Sequence, residues 1–448
     1  MSDKFLEYAN KQLMEIAEID RSLYQKFSVK RGLRNDDGSG VLAGLTQISS
    51  VIGFKIVDEE VRPVEGELYY RGIHIDDLVA GIEKEKRHGF TEVIYLLIFG
   101  KLPKEKELMD FRDYLNARTN LPSGLNETSI LGFPSPSVMN KLQRVILVLY
   151  GMDPNPDDIS IPNVVRQCLD MIAKIPTIIA YSYQAMRHKL HGESLFVHPP
   201  HPSLCCAENF LYMLRPDRQY TKLESDLLDI ALILHADHGG GNNSTFTTHV
   251  VSSSHTDSYS AIAAAIGSLK GPLHGAANSS VMDMMTNIKE NVKDWNDDDE
   301  LSHYLEKMLS GEVYDKKGLI YGLGHAVYTK SDPRAIILKN KAKDLAESKG
   351  RSDEHQLYLN IERLSPGLFQ KVKNSSKVIS PNVDFYSGFV YDLLGFPRDI
   401  YTPLFAMARV VGWSAHRIEE LINGRRIIRP AYKNVAKPAS YIPMAKRK

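Results

Sequence analysis

Residues 402–424 read TPLFAMARVVGWSAHRIEELING, and apolar side chains recur along them at spacings of three and four. That period is the signature of an α-helix. A single charge, Arg409, interrupts the apolar segment PLFAMARVVGWSA. The same period returns in SDLLDIALILHADH (225–238), SYSAIAAAIGSLK (258–270) and DPRAIILKNKAKDLAES (332–348), so the expected fold is mainly α. The stretch from Val41 to Ile75 differs. There VIGFKIV and ELYY alternate around Pro63 and Gly66, which predicts a minor β patch near residues 41–75.

The chain has 448 residues, enough for two domains or for one large domain carrying a lobe. Hydrophobic residues at 43% and charged residues at 25% are the balance of a soluble globular protein. Lysine plus arginine (55) equals aspartate plus glutamate (55). No long-range field therefore favours nucleic acid or an acidic membrane, and any anion must be held by local basic groups. The N-terminal stretch MSDKFLEYANKQLMEIAEID is charged throughout, and no apolar run approaches the roughly 18 residues of a membrane span. Cys168, Cys205 and Cys206 are too few and too awkwardly spaced for a disulfide framework, so a reducing cytoplasmic setting is expected.

Several short motifs carry chemistry. His274 stands in GPLHG (271–275), just ahead of a predicted helix, where the positive end of the dipole disfavours protonation. A neutral imidazole there can donate to a developing enolate oxygen, or simply cap local backbone. His325 ends GLGH (322–325), a loop whose glycines let backbone approach a ligand. Val327 stands where the third glycine of a dinucleotide loop would be, and GxxxxGK[ST] is absent, so phosphate-loop chemistry is not supported. SPNVD (380–384) reads as a helix start, with Ser380 as cap, Pro381 at the first position and Asp384 in the first turn. Phe385, Tyr386, Phe389 and Val390 surround Asp384 with apolar bulk that raises a carboxylate's basicity when buried. Such a group can take a carbon-bound proton.

Arg409 needs an anionic partner if it is buried, or else must snorkel to the surface. Arg334, in DPR (332–334), places a cation at a helix N-terminus against the dipole, as though something there wants positive charge. His235 and His238 are three apart and would share a helical face; metal ligation is one reading, although HExxH is missing. Arg425, Arg426 and Arg429 follow a helix end and read by default as a solvated face.

The order of these signals resembles that of the citrate synthases: a histidine pair, GPLHG, a glycine–histidine loop, DPR, PNVDFYSG, an arginine helix and a final Arg-Pro. KRGLRNDDGSGVLAGLT, LYYRGIHIDDL, FTEVIYLLIFGKLP and HPSLCCAENFLYML extend the resemblance over roughly residues 28 to 435. It implies Asp384 as the base that deprotonates acetyl-CoA, His274 as the enolate stabiliser and His325 as the group that polarises the acceptor ketone. It further implies oxaloacetate contacts from His238, Arg334, Arg409 and, across the interface of a homodimer, Arg429. Leu319, Ile320, Tyr321, Gly322, Gly324 and Lys330 would line coenzyme A. No metal and no redox cofactor is implied, acetyl-CoA being a substrate.

The resemblance also implies a large helical domain from residues 1–275 and 388–448, with a small helical domain at 276–387. Gly271, Gly275 and Gly388, read as interruptions, would be its hinges. Two positions depart from the family: Gly239 where many relatives carry Glu, and Thr329 where many carry a base facing the CoA phosphates. Lys330, Lys316, Lys317, Arg31 or Arg34 would compensate for the second. A 2-methylcitrate synthase using propionyl-CoA is the near alternative. A helical metal-dependent hydrolase built on His235, His238 and His249 or His255 is one of a different class, and a catalytically silent binding protein is a third.

Overall fold

The computed structural model describes residues 2–57 and 60–447. Helices follow one another from Ser2–Ala17 to Tyr401–Asn423, and the described β-structure is one antiparallel sheet of order β1-β2-β3. Its strands are β1 (Ser49–Val57), β2 (Glu60–Tyr70) and β3 (Ile73–His74). The β patch therefore begins at Ser49; residues 41–48 run outside any ladder, with Leu42 and Leu45 exposed. Register runs from Ser49 opposite Tyr70 to Ile52 opposite Glu67, then slips before Phe54 meets Pro63. Between these pairs β1 has one residue, Gly53, and β2 has three, Val64, Glu65 and Gly66, so the extra residues bulge from β2 beside a proline that could not donate to a regular ladder.

The hairpin links two parts of the helical body. Its Tyr70 hydroxyl bonds the carbonyls of Ile233 (3.0 Å) and Asp237 (3.2 Å), pinning it to the end of the Lys222–His235 helix. On its other side Gly66 N donates to Ser331 Oγ (3.0 Å), and Thr329 Oγ1 donates to Gly53 O (3.3 Å). Segments 233–239 and 325–334 are thereby held on either side of one small sheet.

The Tyr401–Asn423 helix is buried along most of its length, from Tyr401 to Ile418. It packs on the 31-residue helix Ile161–His191 and on Asn243–Ser252 and Ser258–Lys270. A helix apolar nearly all round has no solvated face to lose, which is why it lies centrally. A second group packs together: Ala277–Asn291 and Pro333–Ser348 against Val383–Leu393, and Asp298–Ser310 against Ser352–Lys373.

Two local expectations change. The cap of the Val383–Leu393 helix is Asn382, whose side chain accepts from Asp384 N at 2.9 Å, rather than Ser380. A short amide side chain at that position stabilises a helix by about 1 kcal/mol. The same helix runs unbroken through Gly388, so a boundary at 387/388 falls inside it. Gly388 is a packing position, since a Cβ there would stand 3.0 Å from Met282 Cγ on the Ala277–Asn291 helix.

Candidate active site

Arg409, Gly412, Trp413 and His416 share one face of the Tyr401–Asn423 helix, at offsets of three, four and seven. Gly412 lets that face close on residues 236–237: a Cβ there would stand 2.6 Å from Ala236 O. Glycine inside a helix costs about 1 kcal/mol relative to alanine, and here the contact requires it. Arg409 is fully buried, with Nε donating to His235 O at 2.7 Å and the guanidinium 4.7 Å from the Phe405 ring centroid. Its other two nitrogens are buried without a protein partner. Burial, reinforced by the charge of Arg334, pushes its pKa down to about 10, while Asp237 pulls the other way. A buried guanidinium with unmatched donors is stabilised by an anion.

Arg334 is buried too, but satisfied. Its Nε and one terminal nitrogen donate to the two Asp332 oxygens at 3.0 and 2.7 Å. The partner that the cation wants thus lies two residues back in the same DPR motif. Asp332 also accepts from Arg334 N (3.0 Å) and from Val383 N (3.0 Å), so one carboxylate ties together the starts of two helices. Asp384 is thereby set in the first turn beside this pair.

The loop before His325 is laced to the same helix start. Gly324 N donates to Ser380 O (2.8 Å), Asn382 N to Gly322 O (2.9 Å), and Asn382 Nδ2 to Gly324 O (2.8 Å). Gly322 adopts φ +80°, and a Cβ there would stand 2.9 Å from Phe385 Cα. His325 Nδ1 accepts from the amides of Val327 and Tyr328, each at 3.0 Å. The proton of the neutral ring is therefore on Nε2, which faces His238 Nε2 at 3.1 Å. Burial, then the charge of Arg334, pushes the His325 pKa down to about 4. Burial also holds His238 well below the ordinary imidazole value, and its buried Nδ1 has no partner. His325 stacks on Tyr328 with ring centroids 4.9 Å apart.

His274 lies in the turn before the Ala277–Asn291 helix, with Nε2 3.0 Å from Ser244 Oγ. Ser244 is fully buried, accepts from Trp413 Nε1 at 3.1 Å and lies 2.9 Å from Asn242 Oδ1. Burial is the main cause that pushes the His274 pKa down to about 4, with the Arg409 charge second. Asp384 moves oppositely: burial pushes it up to about 6, against the attraction of Arg334 and Arg409. The fields of these two arginines act jointly on His235, His238 and Asp384, and Arg409 also acts on His274. The arrangement thus offers three neutral imidazoles, one basic carboxylate and two buried guanidiniums.

Other expected residues stand apart. Arg429 is exposed in the segment after the Tyr401–Asn423 helix. Lys330 and Leu319 are exposed, Ile320 is buried, and the Tyr321 hydroxyl donates to Asp315 at 2.5 Å. Among the basic residues weighed for the CoA phosphates, Arg34 reaches the histidine loop, 3.4 Å from Ala326 O. The histidines of the metal reading do not converge. The Lys222–His235 helix stops before His238, so the two share no helical face. His235 Nδ1 donates to Ala231 O at 2.7 Å, while His249 pairs with Glu420 (2.8 Å) and His416 (3.1 Å). Gly239 N donates to Asp237 Oδ2 at 2.8 Å, and Asp237 pairs with the buried His416 at 3.3 Å. Sequence reasoning missed Asp332, Ser244 and Asp237. Only Asp332 had a readable signal, as an acid two residues before a helix-start arginine.

The family model described as "Citrate synthase, C-terminal domain" matches residues 37–431. A citrate synthase of Synechocystis sp. is 35% identical over 91% of this chain and 93% of its own length. 2-Methylcitrate synthase 1 of Corynebacterium glutamicum is 33% identical over 94% and 98%. Among solved structures, the citrate synthase of Thermoplasma acidophilum in ternary complex with carboxymethyl coenzyme A and oxaloacetate superimposes with a TM-score of 0.75 at 28% identity, covering 94% of this chain and 99% of that one. Fold, ordered motifs and site geometry agree with these likenesses, and the chain belongs to the citrate synthase family.

Proposed function

We propose that this chain condenses acetyl-CoA with oxaloacetate and water to give citrate and CoA. The observation that carries the reading is Arg409, whose two donors are buried and unmatched and whose charge acts on the neutral His238 and His274 and on the basic carboxylate of Asp384. Asp384 removes a methyl proton from acetyl-CoA, and a neutral N–H of His274 stabilises the enolate oxygen. The enolate carbon attacks the oxaloacetate ketone, polarised by the Nε2–H of His325. Protonation of the new alkoxide gives citryl-CoA, and water then cleaves the thioester to citrate and CoA.

His238, Arg334 and Arg409 hold the dicarboxylate, with Arg429 contributed across a homodimer interface. Charge-assisted arginine contacts fix its position and orientation. Leu319 to Gly324 line CoA, with Lys330 and Arg34 toward its phosphates. Residues 276–387 close as a small domain on 1–275 and 388–448, bending beside the Val383–Leu393 helix rather than at Gly388, and exclude water. The reaction needs no metal or redox cofactor. No described helix is long and apolar enough to cross a membrane, and the three cysteines are unbridged, which supports a cytoplasmic setting.

Propionyl-CoA differs by one methylene, worth about 1–3 kcal/mol in an apolar pocket. Thiol release from acetyl-CoA and propionyl-CoA, each with and without oxaloacetate, tests the proposal. Oxaloacetate-dependent release with the higher kcat/KM for acetyl-CoA is expected. A higher value for propionyl-CoA would make this a 2-methylcitrate synthase, and no oxaloacetate-dependent release would overturn the reaction.

A further inference from the structure

Away from the histidines and arginines of the candidate site, three different ligand types meet. A ring nitrogen of His88, the Cys205 sulfur and a Glu208 carboxylate oxygen all lie within 4.8 Å of one another. His88 stands in the turn before the Phe90–Phe99 helix; Cys205 caps the Cys206–Leu214 helix, and Glu208 is in its first turn. They are the one such convergence of three metal-ligating side chains among the described residues, and all three are half-buried, so solvent ions can reach them.

Both halves of the cluster are held in place by their surroundings. Asp229 accepts from Gly89 N (2.6 Å) and Phe90 N (3.2 Å), which fixes the turn that carries His88. Cys205 N donates to Glu208 Oε2 at 2.9 Å, which sets the cysteine and the glutamate relative to each other. Asp226 Oδ1 stands 3.2 Å from His88 Nε2, a second carboxylate beside the same imidazole. Tetrahedral zinc, with bonds of about 2.0–2.3 Å, needs ligand atoms roughly 3.3–3.8 Å apart, so side-chain adjustments of about 1 Å close the set.

We propose that His88, Cys205 and Glu208 bind one divalent ion of zinc's chemistry, with water as the fourth ligand. The donor set of imidazole, thiolate and carboxylate is the mixture that zinc accepts. Binding replaces the thiol proton with an S–metal bond and releases that proton to solvent, and no oxidation state changes. Thiolate and carboxylate together neutralise the dication. The ion ties the turn at residues 85–89 to the start of the Cys206–Leu214 helix, a cross-link between segments more than a hundred residues apart in sequence. Its role is structural and independent of the condensation chemistry.

Cobalt(II) added to the chelator-treated full-length protein is the direct probe. One equivalent should produce a near-ultraviolet thiolate-to-cobalt band with the visible bands of tetrahedral cobalt, and zinc should displace it. Cys205→Ser should abolish the thiolate band, whereas Cys206→Ser should retain it, since Cys206 borders a separate small cavity with Ile172 and Met213. His88→Gln should weaken zinc binding, measured against a chromogenic chelator, by about a hundredfold or more. Retained oxaloacetate-dependent turnover checks that each variant is folded, and His88→Gln decides the matter if Cys205→Ser is not. Histidines of the candidate active site cannot mimic the result, having no thiolate among them. Absence of the band at one equivalent, its persistence in Cys205→Ser, or unchanged zinc affinity in His88→Gln would each overturn the site.

Discussion

Arg334 and Arg409 are both buried guanidiniums beside Asp384, yet the protein treats them in opposite ways. Arg334 is 2% exposed and carries its own bidentate counterion, Asp332, the cap two residues before it at the same helix start. Arg409 is 0% exposed and has one backbone carbonyl and an aromatic face, with no carboxylate bonded to it. The first is a structural ion pair that also faces the site; the second is a charge kept without a partner. Removing one member of a buried pair is costly, whereas removing a lone buried charge relieves desolvation. Unmatched donors rather than charge alone mark the stronger candidate for a substrate contact.

Four substitutions or conditions test that contrast, and the largest effect belongs to the carboxylate that both arginines face. Asp384→Asn should lower turnover by about a thousandfold or more while oxaloacetate still binds, because the guanidiniums would bind independently of the base. Steady-state kinetics and calorimetry on the same preparation check this, and near-normal turnover would remove Asp384 as the base. Arg334→Leu should destabilise the fold by about 3–5 kcal/mol in urea, since Asp332 is left buried and uncompensated. A loss below about 1 kcal/mol would show that Asp332 is satisfied by its two backbone amides.

Arg409→Leu should behave differently in the same urea series, with stability changed by no more than about 1 kcal/mol in either direction. A large loss would mean that its bond to His235 O and its stacking on Phe405 are structural. The smallest effect is on pH. Asp384 acts ionised and its pKa is raised to about 6, so kcat/KM should fall about tenfold per unit below that value and level off above it. His274 and His325, pushed down to about 4, stay neutral through the same range and do not cause the acid limb. An acid limb near the ordinary carboxylate value would show that the base is not desolvated.

Much of this contrast was legible in part from the sequence. The period of residues 402–424 predicts a helix, and a lone charge within it predicts that Arg409, if buried, needs an anion; both depend on local spacing, whereas the helix's central place does not. The motif order places His274, His325 and Asp384 on the chain, but not the 3.1 Å approach of His238 to His325, residues 87 apart. Arg334 reads as a cation against a dipole, and its answer, Asp332, stands in the same motif, but only the folded side-chain geometry shows the two paired. A proline after Ser380 reads as a cap signal for Ser380; the backbone bonds from Gly324 to Ser380 and from Asn382 to Gly322 shift the helix start to Asn382. Gly388 read as a break, yet its missing side chain serves contact with another helix, which periodicity cannot reveal. The cluster of His88, Cys205 and Glu208 had no signal, because its parts meet only after the chain has folded.

Oxaloacetate titration by calorimetry, comparing the wild-type chain with Arg409→Leu, tests most directly that the unmatched donors of Arg409 are a substrate contact. A loss of at least about 2 kcal/mol in binding free energy is predicted, the worth of a charge-assisted contact made in a dry site. Unchanged affinity would contradict the assignment and leave the dicarboxylate to other groups.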